Sequence, residues 1–138
     1  MSRENEESAR LDLDFRKLEA VAATGAGVLP VVVQDAESGD VLTLAYANET
    51  ALRETLARGV AVFWSTSRNE LWVKGATSGD FLKLVDVGVN CEQNSLLYRV
   101  RRTTGGACHT RGADGAARPT CYYRKVVSGN GDLGFIHP

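Results

Sequence analysis

Residues Val28 to Asn48 read VLPVVVQDAESGDVLTLAYAN. Two apolar, β-branched runs flank DAESGD, a cluster of turn-forming residues with Gly39 near its end. Such runs favour extended backbone, and Asp, Ser and Gly favour the reversal between them. The stretch predicts a β-hairpin, with strands over 28–33 and 41–46. Pro30 cannot donate to a ladder, so the first strand is expected at a sheet edge or with Pro30 at its start.

Working outward, Asn48 suits a helix N-cap and Gly59 a C-cap. ETALRETLAR between them places Ala51, Leu52 and Leu56 on one side of a helix. Further strands are predicted over 60–64, 70–74, 81–89 and 96–100, and a last one over 121–127. The expected fold class is therefore α+β: a small, mostly antiparallel β-sheet domain with one main helix. Residues 1–27 read as an N-terminal arm or short helix, with Leu11, Leu13, Phe15 and Leu18 as an apolar stripe. Residues 28–138 read as a single domain.

The chain has 138 residues, 43% of them hydrophobic, which suffices for one core. Sixteen basic against seventeen acidic residues leave a net charge of −1. That balance gives no electrostatic case for nucleic acid or a membrane surface as partner. The start, MSRENEESARLDLDFRK, is charged and lacks the apolar stretch of a signal peptide, so a cytoplasmic protein is expected.

Three cysteines carry the chemical interest. Cys91 lies in VNCEQNS between two strands, Cys108 in GGACHT after two glycines, and Cys121 at the start of CYYRK. They stand 17 and 13 residues apart, with no C-x-x-C pair. Disulfides are rare in a reducing compartment. Two readings stand on the residues alone: three inert core thiols, or three ligands of one zinc with a fourth position open for chemistry. His109, beside Cys108, is either a surface histidine or a proton carrier near neutral pH. Arg68 and Lys74 are either solvated charges or phosphate ligands.

Together VLPVVVQDAESGDVLTLAYAN, FWSTSRNELWVKGATSG, the Cys91 link and GGACHT…CYYR resemble the phosphoribosyl-AMP cyclohydrolase family of histidine biosynthesis. The pattern W-S-x-S-R-x-x-L-W-x-K-G-x-T-S-G, from Trp64 to Gly79, and A-C-H-T are its most specific parts. The resemblance implies a homodimer, a zinc held by Cys91, Cys108 and Cys121 with one cysteine donated across the dimer, and a nearby magnesium. It implies hydrolytic opening of a purine ring between N1 and C6. His109 matches the family's acid–base histidine. Ser65, Ser67, Arg68, Trp72, Lys74, Thr77 and Ser78 match its substrate-facing segment, implying a phosphorylated nucleotide as substrate.

The chain departs from the family pattern near the chemistry. The family's magnesium motif, Asp-Cys-Asp-x-Asp, is here Asn90-Cys91-Glu92-Gln93-Asn94. One carboxylate and two amides offer a hard cation less than three carboxylates, so any magnesium is expected to bind weakly. Thr66 and Ala76 replace an Arg and a Glu, and the segment 109–120 is longer than usual. These changes leave open a relative that hydrolyses another purine or heterocyclic amidine, and a zinc-holding module without catalysis.

Overall fold

The computed structural model describes residues 3–127, 129 and 131–138. In chain order the elements are α1 (Arg3–Glu7), α2 (Lys17–Ala23), β1 (Leu29–Asp35), β2 (Val41–Ala47), α3 (Glu49–Arg58), β3 (Val62–Ser65), β4 (Glu70–Val73), β5 (Leu82–Val89), β6 (Leu96–Arg102), β7 (Arg124–Val126) and β8 (Leu133–Phe135). This is the expected α+β class. The main sheet has the order β2-β1-β6-β5, and β3-β4 and β7-β8 form two small hairpins.

The opening hairpin forms as expected, with Leu29 opposite Ala47 and Val33 opposite Thr43. Its first strand is not at an edge, however. β1 also pairs in parallel with β6, from Val31 opposite Leu96 onward. Pro30 precedes that two-sided stretch, so its missing N–H costs no ladder bond there. Asn48 caps α3 by accepting from the Ala51 amide at 2.8 Å, and Gly59 ends it at φ 70°, in the left-handed region.

The inner face of the main sheet presents Val31, Val33, Leu42, Tyr98 and Val100, all buried, to α3 and β3. Phe63 of β3 stacks on Tyr98 with ring centroids 5.8 Å apart. Each such side chain contributes about 1.5–3 kcal/mol by leaving water. The outer face is different. Leu44, Val32 and Leu97 stand in register across β2, β1 and β6 and keep solvent exposure.

Three expectations need correction. Leu56 is 59% exposed, and Ala51 and Thr55 are the buried residues of α3, because Thr55 completes hydrogen bonds to the Val62 backbone. Leu13, Phe15 and Leu18 do not form a packed stripe, and α2 buries only Val21. The last predicted strand begins at Arg124 rather than Cys121, and its partner β8 lacked a sequence signal. Cys121 is held in a loop because its amide donates to the Leu42 carbonyl at 2.7 Å.

Candidate metal and catalytic site

Two of the three cysteines meet. Cys108 is buried, and its thiol lies against Cys121 and 3.1 Å from the Thr110 hydroxyl. Cys121 donates to Cys108, which lowers the Cys108 thiol to about 5 despite burial, with help from Thr110. The same contact with Cys108, followed by burial, raises Cys121, while the Thr43 hydroxyl and the Lys74 ammonium pull it back. The pair is thus prepared to present one thiolate at neutral pH, the form that binds metal.

The long segment after Cys108 builds this pocket. It folds back on itself, with Arg111 bridging Ala117, so that the Arg118 carbonyl accepts from the amides of Ala107 and Cys108. Thr120 donates to the Val41 and Leu42 carbonyls, docking the return strand on β2. Arg118 is itself buried, forms a two-pronged ion pair with Glu7 at 2.8 and 2.9 Å, and lies 4.1 Å over the Tyr123 ring. Sequence reasoning missed Arg118, Thr110, Thr43 and Glu7, since only the fold brings Thr110, Thr43 and Arg118 to the cysteines and Glu7 to Arg118.

Cys91 is elsewhere. It is exposed in the turn after β5, and among the described residues no group of three His, Cys, Asp or Glu side chains gathers as a metal site. Around it the amides are engaged with one another. Asn90 Nδ2 donates to Asn94 Oδ1 at 2.7 Å, Asn94 Nδ2 donates to Glu92 Oε2 at 3.2 Å, and Asn90 Oδ1 accepts from the amides of Asn94 and Ser95 at 2.9 Å each. The Asn90 and Asn94 oxygens are taken up by amide donors and Glu92 alone offers a carboxylate, so these three residues suit that ion poorly.

His109 is 73% exposed and its Nε2 lies 2.8 Å from Glu6 Oε1. The seven residues expected to face a substrate lie on the β3–β4 hairpin and the loop after it. Ser65, Ser67 and Arg68 interact at the hairpin turn, and Arg68 also reaches Glu70 at 3.4 Å. Trp72 packs on Phe63, Thr77 and Ser78 are exposed, and Lys74 is buried close enough to Cys121 to act on its charge. Of the seven, Lys74 is thus the one shown acting on the cysteine pair. A cavity of about 770 Å³ opens beside Cys121, and its walls include Arg10, Leu11, Lys17, Tyr122 and Arg124.

Comparison with known proteins supplies the context for this geometry. The family model described as phosphoribosyl-AMP cyclohydrolase matches residues 43–123, which contain all three cysteines and His109. The phosphoribosyl-AMP cyclohydrolase of Hyphomonas neptunium is 44% identical over 103 residues, 75% of this chain and 73% of the relative. That of Chloroherpeton thalassium is 38% identical over 121 residues, 88% of this chain and 81% of the relative. The histidine biosynthesis bifunctional protein HisIE of Thermus thermophilus is 46% identical over 119 residues, 86% of this chain, and the chain spans about half of that longer relative, 52%. With the match running through the cysteine pair and its histidine, the chain belongs to the phosphoribosyl-AMP cyclohydrolase family.

Proposed function

We propose that the chain hydrolyses phosphoribosyl-AMP, opening the purine ring between N1 and C6, as a step of histidine biosynthesis. The observation that carries this reading is the Cys108–Cys121 pair, one thiol lowered to about 5, with His109 next in the chain. Two thiols of this kind suit zinc, a metal that takes sulfur ligands. Cys91 supplies the third ligand from the partner subunit of a homodimer. The exposed outer sheet face, with Leu44, Val32 and Leu97 in register, suits such an assembly. Zinc held there supplies Lewis-acid activation of water near neutral pH.

The chain's own residues do the rest. His109 takes a proton from the water that attacks C6 and returns one to N1 as the C6–N1 bond opens. Thr110 and Lys74 hold the cysteine charges in place. Arg10 and Lys17, on the wall of the cavity beside Cys121, are cations for the substrate's phosphates, and Arg68 is a further one at the hairpin turn. Ser65, Ser67, Trp72, Thr77 and Ser78 face the remainder of the nucleotide.

A second reading is favoured by one observation, the amide lock at Asn90 and Asn94 where magnesium ligands are expected. On it the chain keeps zinc hydrolysis and acts on another purine or heterocyclic amidine. Assay of the zinc-loaded protein on phosphoribosyl-AMP, with and without added Mg²⁺, separates the two. Turnover without Mg²⁺ supports the first, and zinc-loaded protein that leaves this substrate intact supports the second.

A further inference from the structure

The segment before β1 lies outside the family match, yet it closes on the catalytic histidine. Helix α1 is fastened by groups other than the Glu6 side chain. Tyr123 donates its hydroxyl to the Glu6 carbonyl at 2.6 Å. Arg124 donates to the Asn5 and Ser8 carbonyls at 2.6 and 2.7 Å, Arg118 pairs with Glu7, and the Leu133 amide donates to the Ala9 carbonyl at 2.7 Å. The Glu6 carboxylate, with a side chain only 16% exposed, is therefore presented by a fixed backbone to an imidazole that is 73% exposed. With its imidazole this exposed, the pair adds little to stability. Its consequence is chemical. A carboxylate can only accept, so a neutral His109 in this contact carries its hydrogen on Nε2, and Nδ1 keeps the free lone pair.

We propose that Glu6 is a positioning residue, whose contact with His109 Nε2 at 2.8 Å fixes the ring's orientation and leaves Nδ1 to exchange a proton with the substrate. The inference rests on the reading of His109 as the proton carrier. Partners that orient a metal-bound histidine typically change activity or metal affinity by about 10–100-fold when removed, and the lower end of that range is the expectation for this unligated ring.

The test uses the full chain loaded with zinc and labelled with ¹⁵N-histidine, as wild type, Glu6→Ala and Glu6→Gln. Ring ¹⁵N shifts and couplings report which nitrogen holds the hydrogen. The wild type is expected to show hydrogen on Nε2. Glu6→Ala is expected to show a mixture, with kcat on phosphoribosyl-AMP lower by roughly tenfold and KM unchanged. Glu6→Gln, whose amide oxygen still accepts from Nε2, is expected to recover the tautomer and most of kcat. Wild-type ring signals and wild-type kcat in Glu6→Ala would overturn the proposal, as would an equal loss in both variants with the tautomer unchanged. A wild type that leaves phosphoribosyl-AMP intact would defeat the proposed function, and the ring signals alone would then decide the role of Glu6.

Discussion

Asn90 and Asn94 are joined side chain to side chain, amide donor to amide oxygen, across 2.7 Å. This bond closes the turn that carries Cys91, and it replaces repulsion between two carboxylates with a hydrogen bond. Asn90→Asp with Asn94→Asp is expected to destabilise the chain in the absence of divalent ions and to bind Mg²⁺ more tightly than the wild type. Isothermal titration calorimetry and thermal unfolding with and without Mg²⁺ check both. Tight Mg²⁺ binding by the wild type would show that oxygen ligands come from other groups.

Asp35 ties the hairpin to β6. It is buried, and burial alone would raise its carboxyl, but the Ser38 and Glu37 amides and Arg102 at 3.0 Å outweigh that and hold it below the usual range. Its folded value therefore lies under its unfolded one, near 3.9. The stabilisation is fully present above the unfolded value and is lost as pH falls through the folded one. Urea unfolding should show stability falling below about pH 4, with a shallower slope in Asp35→Asn. Asp35→Ala, which leaves Arg102 with the Pro119 carbonyl and a 3.8 Å contact to Asp40, should cost about 1.5–3 kcal/mol, the worth of a hydrogen bond to a charged group.

Thr55 is the polar contact between α3 and β3. Its buried hydroxyl donates to the Ala51 carbonyl at 2.8 Å and accepts from the Val62 amide at 3.0 Å. Thr55→Val keeps the shape and leaves the Val62 N–H unpaired, so a loss of about 1–3 kcal/mol is expected in denaturant unfolding. A Val variant as stable as the wild type would mean that this amide finds another acceptor.

Much of this arrangement was legible in the sequence, and the reasons are local. The β1–β2 hairpin, the Asn48 and Gly59 caps and the boundaries of β5 follow from periodicity and turn chemistry, which act over a few residues. What escaped depends on distant pairing. The parallel contact of β1 with β6, and the loop from His109 to Thr120 that seats Arg118 beside Cys108, join residues with no pattern in common. Residues 1–27 read as an arm or short helix, but their composition carries no hint that Glu6 and Glu7 meet His109 and Arg118. Of the three cysteines, pairing distinguishes Cys108 and Cys121 from Cys91, only Cys108 being buried, and spacing could not have made that division.

If zinc joins two copies, Cys91→Ala should lower both zinc content and dimer stability, while Cys108→Ala should abolish zinc binding. Metal analysis alongside light scattering, before and after chelation, measures these together, since metal binding and assembly share one free energy. A fully zinc-loaded monomer would contradict the shared site.

The most direct test is to mix the zinc-loaded wild type with phosphoribosyl-AMP and follow the product by ultraviolet absorbance and mass spectrometry, with Cys108→Ala as the control. The expected result is gain of one water with loss of the intact purine spectrum, absent in Cys108→Ala. An unchanged substrate spectrum with the zinc-loaded wild type, or equal turnover by Cys108→Ala, would contradict the account.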